Sequence, residues 1–326
     1  YGLVALLFFC ITGWLSPMAQ ADPFKVLVVM SYSETSDFER EMRTEIDSLL
    51  GGCEIKYFYM NTKKNFDAGE QKAKEAYALY QEFQPHGVIA ADDNAQSMFV
   101  VPYLKDKVKT PVIFCGVNMA PEKYGYPASN VSGVLERTHV AQSLEFARQL
   151  LPSIKTFGHI QKKSPTGRTN SEKIQADAGI YPAKLIALEL TETLKETVAK
   201  AKKLREECDV LIIGNMQGIL GESNKPLSDK IVVGTLVNTF AKPTIGLIFN
   251  RIKYGALCGI IKTGQEQGRL ASEMLLRAMK GTQVSQLPIT YNKEGKAVIN
   301  LTTMRALGIK PSIVALQKVK LVKTEE

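Results

Sequence analysis

The sequence is poor in the residues around which many catalytic and metal sites are built. Its 326 residues include 5 cysteines, 3 histidines and 1 tryptophan. The histidines, His86, His139 and His159, lie far apart and make no metal-ligand spacing, so no metal is expected. After residue 21 the cysteines are Cys53, Cys115, Cys208 and Cys258, with no C-x-x-C pair. That excludes a zinc ribbon or a thioredoxin-like redox pair. The four read as small structural hydrophobes, with a disulfide left open by spacing alone. No G-x-S-x-G, H-E-x-x-H or G-x-G-x-x-G occurs, and no glycine loop ends in G-K-[ST]. The serine-hydrolase, zincin, dinucleotide and nucleotide-hydrolase signatures are therefore missing, and neither a catalytic residue nor a cofactor is expected. Acidic residues are outnumbered 33 to 41 by Lys and Arg, giving a net charge of +8. The basic residues form no block of five or six, and no aromatic–basic interleaving marks a strand-binding groove, so nucleic acid is not an expected partner. Lys200, Lys202, Lys203 and Arg205 alternate with Ala199, Ala201 and Leu204, as on the wet face of a helix.

Long hydrophobic runs are also missing, except at the start. Gly2 to Leu15 is almost wholly apolar, Ser16-Pro17 breaks it, and Ala19-Gln20-Ala21 supplies a small-x-small cleavage pattern before Asp22. Residues 1–21 are read as a secretory signal peptide, placing the mature protein in the periplasm. The run is shorter than the ~18–20 residues a bilayer span requires, so a mature form without a membrane-spanning segment is expected.

What remains is a regular alternation. Apolar runs at Lys25–Met30, Glu54–Tyr59, Val88–Ala91 and Val112–Cys115 are joined by segments of helical periodicity. After a connector the pattern restarts with strands predicted at 156–160, 183–188, 209–213 and 244–248, and helices near 170–179, 193–207 and 228–240. The spacing also predicts a strong amphipathic helix over Gln265–Lys280. Short unbroken apolar runs linked by helices define an α/β fold of two doubly wound parallel-sheet lobes. The expected division is 22–135 plus 256–286 for the N-terminal lobe and 136–255 plus 287–326 for the C-terminal lobe. Two such lobes about a hinge suit closure on a ligand, in a protein expected to be a monomer.

In parallel sheets, ligands sit beyond the carboxyl ends of the strands. Candidate ligand contacts are therefore Ser31, Tyr32 and Ser33 after the first strand, and Asp92, Asp93 and Asn94 after the third. Gly116 and Asn118 follow the fourth strand. Helix capping accounts for one polar residue at such a junction but not for three in a row. A carboxylate there suits an ammonium, and free helix N–H groups suit an anion. In the second lobe Ser164, Thr166, Gly167 and Arg168 supply hydroxyls, a glycine and a guanidinium for a carboxylate or phosphate. Asn215 and Gln217 add amides, and Lys262 lies before the last large helix.

Several segments resemble the substrate-binding proteins of ABC transporters. They are V-L-V-V-M-S-Y at 26–32, Y-M-N-T-K-K at 59–64, A-D-D-N-A at 91–95 and P-V-I-F-C-G-V-N at 111–118. N-V-S-G-V-L-E at 130–136, S-P-T-G at 164–167 and A-L-G-I-K-P at 306–311 extend the likeness over nearly the whole mature chain. The closest branch includes tryptophan and aromatic amino-acid binders and the sensor domains of histidine kinases. The resemblance implies a type I periplasmic binding protein, a Venus flytrap with three crossings between lobes, which captures a small polar solute without chemistry. It implies delivery to an inner-membrane ABC permease, with a membrane sensor kinase as the alternative destination. A lobe-closing enzyme is the rival of another class. One departure concerns the ligand: where the family commonly carries a G-V-D-Y-like segment, this chain has Cys258-Gly259-Ile260-Ile261-Lys262, with a lysine in place of an acid.

Overall fold

The computed structural model describes residues 22–311 and 316–325. The expected signal peptide, residues 1–21, lies outside the described residues. The first half alternates β1 (Lys25–Met30), α1 (Asp37–Leu49), β2 (Glu54–Tyr59), α2 (Gly69–Phe83), β3 (Gly87–Ala91), α3 (Asp92–Ala95), β4 (Val112–Val117) and β5 (Val131–Leu135). Between α3 and β4 the helix continues as a π-helical segment, Gln96–Leu104, which accommodates Pro102. The alternation resumes with α4 (Val140–Leu150), β6 (Thr156–Lys162), α5 (Pro165–Ala176), β7 (Lys184–Thr191), α6 (Leu194–Glu207), β8 (Val210–Ile213), α7 (Asp229–Phe240) and β9 (Thr244–Gly246). It closes with α8 (Phe249–Lys253), β10 (Cys258–Ile261), α9 (Gly264–Met279), β11 (Thr290–Tyr291), β12 (Lys296–Asn300), α10 (Leu301–Ala306) and β13 (Lys320–Val322).

These strands form two sheets. One runs β11-β5-β4-β3-β1-β2 and the other β13-β12-β10-β9-β8-β6-β7. All pairings are parallel except β10 with β12. Strands β1, β3 and β4 are buried throughout or nearly so, because helices cover both faces; this is why they read as unbroken apolar runs. The same order recurs in both sheets, since β2-β1-β3-β4-β5 matches β7-β6-β8-β9-β10. Each sheet therefore has one point where the winding reverses, at β1/β3 and at β6/β8, and a crevice opens at the carboxyl ends there.

The lobe boundaries differ from those expected. Strand β10 belongs to the C-terminal sheet, so the chain crosses at Lys262-Thr263 and not at 256. Thr263 marks the place physically, since its side chain accepts from Glu266 N and starts α9, which returns to the N-terminal lobe. The last crossing is also later than 287. Leu287 is buried in the N-terminal core and β11 pairs with β5, so the chain passes over only at residues 292–295. The first residues of α5 differ too: Pro165, whose missing N–H costs nothing in a first turn, starts the helix five residues earlier than predicted.

Helix α9 packs against α1 and strands β3, β4 and β5. The contact is backbone to backbone. A Cβ on Gly264 would meet Phe38 O at 2.2 Å, and one on Gly268 would meet Met42 O at 2.4 Å. Neither carbonyl can move without its helix. We expect Gly268→Val to lower unfolding stability by about 3 kcal/mol or more, because the added carbons must force the two helices apart. A urea midpoint equal to wild type would show that the contact yields freely.

Candidate functional site

Both reversal points place polar residues at the crevice, and not all of those expected face it. Ser31 is fully buried. Its hydroxyl donates to Ala91 O (2.6 Å) and accepts from Ala95 N (2.8 Å), while its carbonyl accepts from the Thr62 hydroxyl (2.7 Å). It clasps β1 to the start of α3 and offers nothing to a ligand. Ser33 is half-buried, with its hydroxyl 2.9 Å from that of Thr35 inside the same turn. Asn94 is tied to this framework, donating from Nδ2 to the Thr62 hydroxyl (2.9 Å).

Asp93 likewise acts through its neighbours. Its carboxylate accepts from Asn118 N (3.1 Å), Met119 N (3.2 Å) and the Tyr124 hydroxyl (2.8 Å). It therefore fixes the loop after β4 and has few lone pairs left. Asn118 is exposed on that loop and donates to Gly116 O (3.1 Å). Gly116 itself is buried at φ +69°, a left-handed conformation natural to glycine, and donates to Gln267 Oε1 (2.8 Å).

Asp92 is different. It is half-buried, at φ +72°, which costs a non-glycine residue roughly 1–2 kcal/mol. One carboxylate oxygen accepts from Asp93 N at 2.6 Å, and the Tyr32 hydroxyl interacts with the same group. Burial, with the nearby charges of Asp93 and Glu136, pushes its carboxyl up to about 7. Burial and then Asp92 raise the Tyr32 phenol. Tyr32 is half-buried, with Lys63 Nζ 5.7 Å from its ring centroid.

On the facing lobe, the first turn of α5 carries four of the expected residues. Ser164 caps it, accepting from Gly167 N at 3.0 Å. Gly167 is buried because a Cβ would lie 2.3 Å from Lys162 O; it is a packing residue. Thr166 and Arg168 are exposed. The loop after β8 is joined to β6 by Lys162 N, which donates to Asn215 O at 2.7 Å. Asn215 and Gln217 are exposed, and Asn215 Oδ1 accepts from Gln217 N (3.1 Å) and Arg251 Nη2 (3.3 Å).

Other residues of the site carry no signal in the order of the sequence. Glu136, 5% exposed, ends β5 and pairs with Lys262 at the next crossing. Lys262, expected among the ligand contacts, is thus neutralised within the protein, because a buried carboxylate requires a cation. Arg137 donates to the carbonyls of Val117 (3.3 Å), Asn118 (3.2 Å) and Glu136 (2.7 Å). Lys173 of α5 has its ammonium depressed by partial burial and by the charge of Arg137, with Asp93 opposing. The α5 face of one lobe therefore feels the β3 and β4 ends of the other. Arg251 is 1% exposed, pairs with Asp229 and donates to Gly214 O at 3.0 Å. The hinge is held by Glu266, whose carboxylate accepts from the N–H groups of Lys293 (2.5 Å), Glu294 (2.9 Å) and Gly295 (3.0 Å).

The histidines lie apart from this site chemically. His159 is buried and held down to about 4 by desolvation, and His139 Nε2 lies 2.8 Å from Asn292 Nδ2 in the hinge. Cys53, Cys115, Cys208 and Cys258 are all unpaired. Among the described residues no group of three His, Cys, Asp or Glu could hold a metal ion, and no helix is long and apolar enough to cross a membrane. Two hollows sit at the opposite, amino ends of the strands, one lined by Leu151, Asp209 and Lys242, the other by Pro111, Asn130 and Thr282. Neither gathers the convergent polar groups found at the crevice.

Two lobes wound alike, with polar strand ends turned toward one another and a three-strand hinge, define a protein built to enclose a small solute. Residues 54–319 match the family model of the ABC transporter substrate binding proteins, and the chain belongs to that family. A curated relative, a tyrosine-binding protein of Clostridioides difficile, is 29% identical over 234 residues, which is 69% of this chain and 62% of the relative. In fold, the chain is similar to the ligand-free, open structure of a substrate binding protein with adhesive properties from Clostridium difficile. That match has a TM-score of 0.74 at 17% identity and covers 93% of this chain and 100% of the other. An ABC domain from Streptococcus pneumonia in complex with L-Trp has a TM-score of 0.59 at 18% identity, covering 92% and 100%. The two-lobed α/β architecture expected from the sequence is therefore the fold observed.

Proposed function

We propose that this protein is an extracytoplasmic solute receptor that captures an aromatic α-amino acid between its lobes and hands it to an ABC importer, without chemistry. The observation that carries this reading is the opposition of charge across the crevice. Asp92 and Tyr32 form one wall with Arg137 beyond Asp93 on the same lobe, and Lys173 of α5 brings its positive charge from the other lobe. Such a pair of walls suits a zwitterion, with its ammonium on the carboxylate and its carboxylate toward the cations. The ring of Tyr32, together with Met119 and Ile248, each 37% exposed at strand ends of opposite lobes, supplies apolar surface for a side chain. The tyrosine-binding relative supports the same ligand class. The lysine at position 262 is compatible with it, because Glu136 neutralises that charge.

A thermal-shift series tests the reading. At 100 times its Kd, a ligand adds ~2.7 kcal/mol of stability. L-tyrosine and L-tryptophan are expected to raise the melting temperature by several degrees, and L-aspartate to leave it unchanged. If no amino acid moves the midpoint of a folded sample, the reading is wrong.

A further inference from the structure

We propose that Asp92 and Tyr32 form the ammonium socket of this crevice, so that the protein selects its ligand by a free amine and captures it in a pH-dependent way. The inference rests on the reading of the protein as an amino-acid receptor and adds which atoms choose the ligand.

The first argument is charge left without a partner. The groups that act on Asp92 are Tyr32 from the end of β1, Cys115 from β4 and Glu136 just after β5, with Asp93 beside it in sequence; Glu39 of α1 lies behind, acting on Tyr32 and Cys115. None of these is a cation. The nearby cations are engaged elsewhere: Lys262 with Glu136, Arg137 with three backbone carbonyls, and Lys63 over the Tyr32 ring.

A second observation points independently to a missing positive group. Glu39 is 2% exposed beneath the Tyr32 turn, and its Oε2 has no hydrogen-bond partner. Burial raises its carboxyl, against the opposing pull of the Ser36 hydroxyl, the backbone amides of Glu39 and Tyr32, and the charge of Lys63. Two carboxyl groups thus flank one tyrosine at the reversal point of the sheet, where the fold places ligands. A buried carboxylate without a cation is costly, and a ligand ammonium seated between Asp92 and the Tyr32 oxygen would remove that cost.

The geometry also separates Asp92 from its neighbour. Asp93 has its oxygens filled by two amides and a phenol, whereas Asp92 takes a single backbone amide and Tyr32. Asp92 is also the carboxyl group poised near neutrality, at about 7. In the free protein near neutral pH a good fraction is protonated and cannot receive an ammonium. Capture therefore sends the carboxyl proton to solvent, while the ligand amine keeps its own three. If only the ionised socket binds, affinity scales with the ionised fraction, so Kd at pH 6 is expected to be roughly tenfold that at pH 8.

Titration calorimetry of the whole protein tests this. L-tyrosine is compared with 3-(4-hydroxyphenyl)propionate, which lacks the amine, and with tyramine, which lacks the carboxylate, at pH 6, 7 and 8. The expected results are a loss of at least ~100-fold for the deaminated acid at pH 8 and the tenfold pH effect for L-tyrosine and tyramine alike. At pH 7 the observed heat should depend on the ionisation enthalpy of the buffer, reporting proton release. Asp92→Asn should abolish the pH effect together with most of the affinity. If L-tyrosine binds but the deaminated acid binds equally well, or Kd is flat from pH 6 to 8, the socket is overturned and the receptor reading stands. If tyramine alone binds with the pH effect, the socket holds and the amino-acid reading fails. If none of the three binds, both fall.

Discussion

Asp92→Asn is expected to make the ligand-free protein more stable at pH 8, by about 4 kcal/mol, while removing its ligand. The sign follows from the direction of the shift. The carboxyl has an ordinary value of 3.8 and is held at about 7 in the folded protein by burial and the acids around it. Below pH 4 the group is protonated in both states and contributes nothing. Between pH 4 and 7 the unfolded chain releases the proton and the folded one retains it, so each rise in pH favours unfolding. Above pH 7 the penalty is at its full size. Asparagine carries no such charge, and it also accepts the left-handed backbone at φ +72° better than most residues. Melting curves of the two proteins from pH 4 to 8 should therefore converge at the acid end and separate toward pH 8. If the variant is the less stable at pH 8, the carboxylate is already compensated within the protein and the ligand has no charge to neutralise there. A gain in stability with loss of binding would identify Asp92 as a residue kept for function at the fold's expense.

The contrast between Ser31 and Asp92 shows what the sequence can and cannot tell about such a site. Both lie at strand ends, and strand ends are legible, because β1 and β3 are unbroken apolar runs that stop at polar residues. Which of those polar residues faces the crevice depends on bonds across 60 or more positions. Ser31 is consumed by Ala91 and Ala95, 60 and 64 residues away. Asp92 remains available because its neighbour Asp93 takes the amides of Asn118 and Met119, 25 and 26 positions on. Lobe membership is hidden in the sequence for a similar reason. Apolar β10 runs almost directly into α9, and only the T-x-x-E pattern at Thr263–Glu266 marks the junction where the chain changes lobe. Glu266 then departs from that pattern, reaching not to its own cap but to three amides of the last crossing. Short β11 and β13 have no sequence signature of their own, since strands of two or three residues show no period.

Arg251 carries the second large expectation. Its guanidinium is buried at the second reversal point, ion-paired to Asp229 from α7 and donating to Gly214 O and Asn215 Oδ1. Nothing in the five residues of α8 announces it, because a buried charge is recognised by its partners and not by its neighbours. Arg251→Ala should cost about 3–5 kcal/mol in urea unfolding, since Asp229 is left without its cation and Asp229 Oδ1 already lacks a partner. Replacing the pair together, Arg251→Met with Asp229→Leu, should recover more than half of that loss, because the uncompensated charge is gone and the volume is refilled. An equal loss in the single and double variants would assign the effect to packing and not to charge. The double variant also separates stability from recognition. Arg251 holds both the carbonyl of Gly214 and the side chain of Asn215, so the loop after β8 loses two of its bonds even where the core is restored. The doubly substituted protein is therefore expected to regain most of its stability yet bind the proposed ligand more weakly. If it binds as well as wild type, the bonds of Lys162 to Asn215 O and Gly218 O suffice to hold the loop, and Arg251 serves only the core.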